Sequence, residues 1–345
     1  MKAIVIHGPS QISIDEVPTK APGTGEVLVK VKAVGICNTD YELYTNDMFY
    51  LTEGISKLPL IPGHEWSGVV EELGEGVNGF SVGDMVCGEC TVSCGSCYYC
   101  IRGIPNQCTN RTETGIMNRD GAFAEYITFP ASHLHRFRNI GFPEAAMVET
   151  SAVAYYAVRS GGVGPMDNVL VTGPGAVGLM AAQIAKTVFN AKRVILSGTR
   201  SERLEKAEGF GLDGLVNIRE EDLVEKVRKY TDGEMIDVVI EESGGSGVFA
   251  DIKNVLNPCG RVVLNGFFGA KEAPIQWDAF TVKDAKIIGT LGSPNVWDDV
   301  IHLLDTGQIT SAPLVSHRMG LLDFEKGLDI VIHRREKVCK VVIEP

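Results

Sequence analysis

Residues 169–178 read VLVTGPGAVG and join an apolar run, typical of a buried β-strand, to a glycine-rich turn. An alanine-rich helical pattern follows, and a second apolar run begins near residue 193. In such a unit, Gly173 permits the tight turn, Gly175 lets the backbone approach a phosphate, and Gly178 lets the helix pack on the strand. Glycine motifs also occur in ordinary turns, but this order of elements favours a dinucleotide site. The predicted contacts in the turn are Gly173, Gly175, Ala176, Val177 and Gly178.

Strand-like runs recur through this half of the chain, with helical segments between them. They cover residues 169–172, 193–197, 214–217, 237–241, 260–268 and 285–290. Strands that alternate with helices form a parallel, doubly wound sheet, so the sequence predicts an α/β fold of the Rossmann type. Because ligands bind at the carboxyl ends of such strands, the loops at 241–245 and 265–268 are expected to flank the cofactor, with plain turn formation as the alternative. Their predicted contacts are Ser243, Gly244, Gly266 and Phe267.

The composition limits the possible functions. With 345 residues, 44% of them hydrophobic and 22% charged, the chain is typical of a globular protein of about two domains. A formal net charge of −12 without basic runs argues against a nucleic-acid partner. The first residues are interrupted too early for a signal peptide, and no apolar run approaches the ~20 residues of a membrane span. We therefore expect a cytoplasmic protein with neither membrane nor nucleic-acid partners.

The first half of the chain predicts a different kind of domain. Residues 1–35 alternate apolar and polar positions in short runs broken by Pro and Gly, which is typical of a small antiparallel, barrel-type β domain. Cysteines then cluster between residues 87 and 108, and without a secretion signal this favours metal binding over disulfides. Four of them suffice for a tetrahedral structural zinc site, with an iron–sulfur cluster as the alternative. The four are Cys94, Cys97, Cys100 and Cys108.

The other cysteines fall outside this spacing. Cys87 and Cys90 receive no role, and Cys259 and Cys339 are expected to be buried hydrophobic residues.

A second set of metal-ligating residue types lies on loop-like segments. Cys37 follows a strand-like run, and His64 and Glu65 follow a Pro-Gly turn. A thiol, an imidazole and a carboxylate suit a catalytic zinc, which keeps one coordination position open for chemistry. By itself the set is only suggestive, because a lone cysteine is often simply buried and a histidine near such a turn is often structural.

These features, together with residues 121–126 (GAFAEY), follow one another over essentially the whole chain. In their order and spacing they resemble the zinc-dependent medium-chain alcohol dehydrogenases, most of all the sorbitol, threonine and polyol dehydrogenase branch. The resemblance implies a mainly β, GroES-like catalytic domain at residues 1–152, with a zinc lobe at about 87–110. It also implies a Rossmann domain at 153–292, a return to the catalytic domain at 293–345, and a homodimer or homotetramer.

The resemblance also implies roles for individual residues. Cys37 and His64 match zinc ligands, Glu65 a ligand or an exchanging near-ligand, and Glu149 the remaining acidic or cysteine position. Thr39 matches the hydroxyl that takes the proton of the substrate alcohol. Two positions depart from the pattern: Glu42 stands where many relatives have a proton-relaying histidine, and Thr150 follows Glu149 where the branch often has proline. A relay through the Glu42 carboxylate or through water is therefore expected.

The activity implied is a zinc-dependent NAD(P)(H) dehydrogenase that interconverts a secondary alcohol and a ketone. A polyol, cyclitol or sugar-derived substrate is favoured by the branch and by the acidic Glu65 and Glu149, and threonine or another amino alcohol is the alternative. A non-catalytic, nucleotide-binding redox sensor would be expected to lack one of Cys37, Thr39, His64 and Glu65, all of which are present. A zinc-free quinone reductase would lack the cysteine lobe.

Cofactor choice depends on the end of the second predicted strand. NAD-preferring Rossmann domains carry an acidic residue there, which accepts hydrogen bonds from the ribose hydroxyls and repels a 2′-phosphate. Here Gly198 stands at that position, and Arg200 can meet a phosphate bidentately. The sequence therefore predicts a preference for NADP(H), with NAD(H) remaining possible if Arg200 is solvated or stacks on adenine. The predicted contacts are Ser197, Gly198, Thr199 and Arg200.

Overall fold

The chain divides into two structural units that differ in their secondary structure. The structure, a computed structural model, describes residues 1–268 and 272–345. One unit comprises Met1–Glu149 with Gly292–Pro345, and the other comprises Thr150–Leu291. The first unit is therefore built from both ends of the chain.

The amino-terminal part of the first unit is mainly β. Its strands are β1 (Lys2–Gly8), β2 (Gln11–Glu16), β3 (Glu26–Gly35), β4 (Glu65–Leu73), β5 (Met85–Gly88), β6 (Thr91–Val92), β7 (Thr112–Thr114), β8 (Asn118–Arg119), β9 (Tyr126–Pro130) and β10 (Leu134–Arg136). Its helices are α1 (Asn38–Thr45), α2 (Phe49–Thr52) and α3 (Phe142–Ala146). The long helix α4 (Val148–Ser160) begins in this unit and continues into the second.

The second unit alternates strands and helices, as predicted. Its strands are β11 (Asn168–Thr172), β12 (Arg193–Gly198), β13 (Gly214–Asn217), β14 (Ile236–Glu241), β15 (Leu256–Leu264) and β16 (Lys286–Gly289). Its helices are α5 (Ala176–Thr187), α6 (Ser201–Leu204), α7 (Leu223–Tyr230), α8 (Val248–Val255) and α9 (Trp277–Thr281). The chain then returns to the first unit with α10 (Trp297–Asp305), β17 (Val315–Gly320), α11 (Phe324–His333) and β18 (Lys340–Glu344).

Strand β3 organises the sheet of the first unit. The sheet runs β10-β5-β4-β3-β18-β17, and β9 also pairs with β3. Alternate β3 side chains such as Val27, Val29 and Val31 are buried in one hydrophobic cluster, where Trp66 and Phe129 meet edge to face at 5.1 Å. Burial of these large apolar side chains stabilises the sheet by roughly 1.5–3 kcal/mol each. The carboxyl-terminal strand β18 completes this sheet.

Side-chain contacts also hold the returning segment in the first unit. His135 on β10 lies between two carboxylates, 2.7 Å from Asp298 and 2.9 Å from Glu89, and it stacks on Trp297. Burial acts to lower the pKa of His135, but the bonds and charges of Glu89 and Asp298 outweigh it and raise the pKa. A protonated ring donates from both nitrogens, which suits this double contact.

The sheet of the second unit is parallel throughout its described pairings and has the order β13-β12-β11-β14-β15-β16. All five residues of β11 are buried, as expected for a central strand covered by helices on both faces. Helix α5 buries a continuous run from Gly178 to Ala185. The predicted doubly wound α/β fold is confirmed, and its strand order reverses between β11 and β14, where such sheets bind ligands.

The sequence-based prediction was inaccurate around β15. The strand spans Leu256–Leu264 rather than 260–268, and its register with β14 shifts between Ile236 and Val238. At this irregularity Cys259 has a φ of +58° and is exposed, so its predicted burial is wrong. A bulge accommodates residues that a regular central strand excludes, including Pro258.

Among the helices of residues 1–268 and 272–345, none is both long enough and apolar enough to cross a membrane.

Candidate metal and cofactor sites

Strand pairing in the first unit brings the predicted zinc residues together. Strands β3 and β4 are antiparallel, and Gly35 at the end of one pairs with Glu65 at the start of the other. Cys37 lies just beyond β3 and His64 just before β4, so they meet at the same edge of the sheet. Ligand atoms of Cys37, His64 and Glu65 all lie within 4.8 Å of one another. This is a thiol, imidazole and carboxylate set of the kind that binds zinc.

The electrostatics of this cluster fit a bound cation. His64 is buried, and its Nδ1 lies 3.8 Å from Oδ1 of Asp40; neither atom has a hydrogen-bond partner among the described residues. Burial acts to lower the pKa of His64, but its hydrogen bond to Cys37 and the negative charges around it outweigh burial and raise the pKa to about 10. Burial also raises the pKa of Asp40, to about 6. A cation would stabilise all of these negative groups.

Asp40 holds the cysteine loop in place. Its Oδ2 accepts a 2.8 Å hydrogen bond from the backbone N–H of Cys37, the residue that precedes helix α1. An acidic residue three positions after a helix N-cap is a known capping pattern, so this contact was detectable in the sequence. Asp40 was nevertheless not among the predicted site residues.

Glu65 forms a buried ion pair that the sequence did not reveal. Its Oε1 lies 2.6 Å from Nζ of Lys340, and the side chains of Glu65 and Lys340 are 3% and 6% exposed. Burial acts to lower the pKa of Lys340, but the charges of Glu65 and Cys37 outweigh it and raise the pKa. Lys340 is the first residue of β18, which pairs with β3, and no sequence pattern connects it with Glu65.

Glu149 lies in the first turn of α4 and is buried near the cluster without belonging to its tightest group. Burial raises the pKa of Glu149 to about 7, while the charge of His64 lowers it and that of Glu65 raises it again. Glu149 thus interacts electrostatically with both residues. Its role as a metal ligand stays a prediction.

The two predicted relay residues differ in their surroundings. The Sγ of Cys37 lies 3.8 Å from the Thr39 hydroxyl, so Thr39 is beside the cluster. Glu42 accepts a 2.7 Å hydrogen bond from the Asn38 side chain, one turn earlier on α1. Burial raises the pKa of Glu42, and the hydrogen bond from Asn38 partly offsets this. In the described part of the chain, the Glu42 carboxylate is therefore hydrogen-bonded to Asn38 and not to Thr39.

The cysteine lobe holds four thiols at metal-ligating distances. The Sγ atoms of Cys94, Cys97, Cys100 and Cys108 all lie within 4.8 Å of one another, and all four are free. Backbone N–H groups of Cys94 and Asn110 each donate to Sγ of Cys108 at 3.3 Å. Hydrogen bonds from backbone groups lower the pKa of Cys97 to about 5 and that of Cys94 to about 7, which favours thiolates at these two positions, whereas burial raises the pKa of Cys108 to about 11. Four thiolates suit a closed zinc site.

Replacing Cys108 with serine is expected to remove one zinc per chain and to lower the free energy of unfolding by about 3 kcal/mol or more, because the loss of a tightly bound ligand removes its binding energy from folding. Elemental analysis and urea unfolding measure the two effects. Cys259→Ser, at an exposed cysteine outside the lobe, is the matched control and should change neither. Unchanged zinc content and stability in Cys108→Ser would contradict the structural role.

The buried Cys87 and the half-buried Cys90 lie outside the four-thiol group. Burial raises the pKa of both thiols, and no role is assigned to either.

The glycine-rich turn of the second unit has the geometry of a phosphate cradle. Gly173 has a φ of +92°, and a Cβ there would lie 2.8 Å from Cα of Ser243. Gly175 is the N-cap of α5, and a Cβ on it would meet nothing within 4 Å, so space is open above the turn. Ala176 and Val177 are the first two residues of α5, where N–H groups lack partners within the helix. A dinucleotide pyrophosphate fits this arrangement.

Two further loops lie at the carboxyl edge of the same sheet. Gly244, after β14, has a φ of +57°, and a Cβ on it would overlap the carbonyl of Phe267, after β15. A Cβ on Gly266 would lie 2.9 Å from N of Gly244, so the loops are in close contact. Ser243 is exposed, and Phe267 is 67% exposed. The two loops therefore follow β14 and β15 side by side, and their contact with a cofactor stays a prediction.

The predicted 2′-phosphate residues separate into two groups. Ser197 is buried, and its hydroxyl donates to the Val171 carbonyl within the sheet, whereas Thr199 is exposed and Arg200 is half-buried. A Cβ on Gly198 would overlap the ring of Pro174. An acidic side chain at position 198 would therefore collide with Pro174, a contact that the sequence did not reveal.

A thiol, imidazole and carboxylate cluster in one unit and a glycine-rich strand–turn–helix in the other define a metal-dependent, dinucleotide-binding oxidoreductase. The family models that match this chain agree with this class of protein. Residues 23–139 match the alcohol dehydrogenase GroES-like domain, and residues 176–306 match the zinc-binding dehydrogenase domain.

Relatives match over the whole chain. A sorbitol dehydrogenase of Halalkalibacterium halodurans is 33% identical over 352 residues, covering 100% of this chain and 99% of that protein. An L-threonine 3-dehydrogenase of Pyrococcus horikoshii is 35% identical over 331 residues, covering 95% and 93%. The chain therefore belongs to the zinc-dependent medium-chain alcohol dehydrogenases, and the predicted GroES-like and Rossmann architecture is confirmed.

Solved structures of similar proteins include two with different cofactors. RspB of Escherichia coli, complexed with NADH, is 32% identical with a TM-score of 0.91 over 100% of this chain and 99% of that one. A zinc-binding dehydrogenase of Sinorhizobium meliloti, bound to NADP, is 28% identical with a TM-score of 0.91 and the same coverage. The likeness thus leaves the choice between NAD and NADP open.

Proposed function

We propose that this zinc-dependent alcohol dehydrogenase oxidises a secondary alcohol of a polyol, cyclitol or sugar-derived substrate to a ketone, and catalyses the reverse reduction, with NADP(H) as the preferred cofactor. The observation that carries the proposal is the meeting of Cys37, His64 and Glu65, with the Thr39 hydroxyl beside them. The four thiols of the cysteine lobe would hold a second zinc.

Zinc supplies a Lewis acid that lowers the pKa of an alcohol, and the nicotinamide supplies the hydride acceptor. The protein's own residues hold and move the proton. Cys37 and His64 supply the metal ligands, while Lys340 holds one oxygen of Glu65 at 2.6 Å, which supports a near-ligand role for Glu65. The Thr39 hydroxyl lies 3.8 Å from Sγ of Cys37, where it would take the proton that a substrate alcohol loses and pass its own proton on.

The acidic character of the site supports a hydroxylated substrate. Glu65, Glu149 and Asp40 are all buried around His64, which makes the surroundings more polar than those of a cysteine-rich zinc site. The similarity to a sorbitol dehydrogenase supports the same class, and the similarity to threonine dehydrogenases supports an amino alcohol as the second candidate.

A substrate panel tests this proposal. Initial rates are measured for polyols, cyclitols, sugar acids and L-threonine, each with NAD and with NADP. The highest kcat/KM is expected for a polyol, cyclitol or sugar acid; a highest value for L-threonine would favour the second candidate. A zinc-loaded chain that binds the cofactor yet turns over none of them would contradict the proposed substrate class.

Thr39→Val is expected to lower kcat by about a hundredfold or more, because a methyl group cannot take part in general acid–base transfer. Thr39→Ser keeps the hydroxyl and should retain most of the activity. Zinc content measured alongside should be unchanged in both variants. A fully active Thr39→Val enzyme would contradict the relay role, and unaltered activity in Glu42→Gln would exclude a relay through that carboxylate.

The preference for NADP(H) rests on Thr199 and Arg200, at the carboxyl end of β12. Thr199 is exposed, Arg200 immediately precedes α6, and Gly198 carries no charge that would repel a 2′-phosphate. Because the Ser197 hydroxyl is engaged within the sheet, we do not include it among the phosphate contacts.

Arg200→Ala is therefore expected to weaken NADPH binding by about one to two orders of magnitude, the equivalent of one charge-assisted hydrogen bond of ~1.5–3 kcal/mol. NADH binding should change little, and fluorescence titration with both cofactors measures the difference. A simple Gly198→Asp exchange is unsuitable, because the new side chain would displace Pro174. Equal effects on both cofactors, or a clear NAD preference of the unmodified enzyme, would contradict the NADP(H) assignment.

A further inference from the structure

An acidic residue lies at the ligand-binding edge of the second unit's sheet. Glu242 is the first residue after β14, and its N–H donates to the carbonyl of Thr172, the last residue of β11. Strands β11 and β14 flank the point where the strand order reverses, which is where α/β sheets bind their ligands. Glu242 thus lies where the anionic part of a dinucleotide is expected.

The side chain of Glu242 packs against the glycine-rich turn. A Cβ on Gly178 would lie 3.5 Å from the Glu242 Cβ, and a Cβ on Gly173 would lie 3.1 Å from its carbonyl carbon. The base of the Glu242 side chain therefore lies against the turn whose helix N-terminus suits a pyrophosphate. Residues 173–178 contain no charged side chain that could neutralise a carboxylate on Glu242.

Asn265, just beyond β15, fixes the carboxyl group. Its Nδ2 donates to both Glu242 oxygens at 2.8 and 2.9 Å, and its Oδ1 accepts a 2.8 Å bond from the Thr290 hydroxyl. The neighbouring Glu241 is engaged differently, because it accepts from N of Ser243 and N of Gly244. Glu242 is thus held in place by a neutral side chain.

The charges around Glu242 disfavour its ionised form. Burial raises the pKa of Glu242 to about 8; the Asn265 hydrogen bond acts to lower it, and the charge of Glu241 raises it further. Among the described residues, Glu241 is the neighbour whose charge affects the pKa of Glu242. Burial raises the pKa of Glu241 as well. These effects favour the uncharged form of the Glu242 carboxyl near neutral pH.

We propose that Glu242 is a proton-linked gate of the cofactor site: its neutral carboxyl admits the pyrophosphate of NAD(P)(H) to the glycine-rich turn, and its carboxylate excludes it. The physical reason is that the carboxylate and the pyrophosphate are like charges in a half-buried crevice, and both are attracted to the same helix N-terminus. This inference rests on the proposed cofactor site of the second unit.

The coupling between proton binding by Glu242 and cofactor binding sets the size of the change in Kd. If the cofactor binds only the protonated form, its apparent Kd rises about tenfold for each pH unit above the pKa of Glu242. Between pH 7 and pH 9 the Kd should therefore increase by about tenfold. The increase should be the same for NADH and NADPH, because both carry the pyrophosphate and only NADPH carries the 2′-phosphate.

The test is a fluorescence titration of the zinc-loaded protein with NADH and with NADPH from pH 6.5 to 9.5, without substrate. Glu242→Gln should bind both cofactors with nearly pH-independent affinity. Glu208→Gln, which removes an exposed carboxylate from the same unit, is the matched control and should keep the wild-type increase. Thermal unfolding at pH 7 and pH 9 verifies that each variant is folded, and Glu242→Ala replaces Glu242→Gln if the latter is not.

The outcomes separate the inference from the function on which it rests. A wild-type affinity that stays constant to pH 9.5, an increase limited to NADPH, or an increase that persists in the Glu242 variant would each overturn the gate. Failure to bind either cofactor at pH 7 would instead overturn the proposed function.

Discussion

His64→Ala is expected to lower turnover by about a thousandfold or more, because it removes an imidazole from the cluster that holds the catalytic metal, and Lewis-acid stabilisation is worth several kcal/mol. One zinc per chain should be lost. Binding of NADH and NADPH should be retained, since the glycine-rich turn lies in the other unit. Elemental analysis, steady-state kinetics and cofactor fluorescence measure the three quantities.

His302→Ala is the matched control for this variant. His302 is an exposed histidine on α10 of the same unit, so its replacement should leave zinc content and turnover within about twofold of the unmodified enzyme. If His64→Ala kept both zinc ions and most of its activity, the assignment of His64 as a ligand would be wrong.

Lys340→Met is expected to lower the free energy of unfolding by ~3–5 kcal/mol, because it leaves the carboxylate of Glu65 buried without its counter-charge. Both side chains of this ion pair are almost fully buried, and the two charged atoms are 2.6 Å apart. Methionine preserves most of the aliphatic volume of lysine, so the effect reports mainly on the charge. Urea unfolding of the zinc-free protein measures it without compensation from a metal.

The matched control is Lys326→Met, at an exposed lysine on α11 of the same unit. It should change the free energy of unfolding by no more than about 0.5 kcal/mol. Equal stability of the two variants would show that the Lys340–Glu65 pair contributes nothing, and the double variant Lys340→Met with Glu65→Gln should recover part of the loss.

The architecture of the second unit was predictable because its signals are local. The apolar run of β11, the glycines after it and the alanine-rich start of α5 are contiguous, so hydrophobic periodicity identifies them without tertiary information. The error at β15 arose because the strand begins before Pro258, a residue that regular central strands exclude. The sheet accommodates this residue in an irregular register, which depends on the pairing with β14.

The candidate sites likewise combine features that local sequence predicts with features that depend on strand pairing. The spacing of the four lobe cysteines allows them to meet within a short segment, and the residue types at 37, 64 and 65 indicate zinc chemistry. The ligand roles of these residues stay predictions. The charged groups that shift the pKa values of these residues were not predictable from the sequence. Asp40, for example, lies near His64 only because β3 and β4 are paired.

The sequence by itself determined the α/β class of the second unit, the cysteine lobe and the chemical types of residue available for a metal, because each depends on residues close together in the chain or on residue identity. Only the tertiary structure decided that Lys340 pairs with Glu65 across 275 positions, that Pro174 occupies the space beside Gly198, and that Asn265 holds Glu242. These contacts depend on which strands are neighbours and in what register. Strand neighbourhood is set by the packing of the whole sheet, and no local pattern records it.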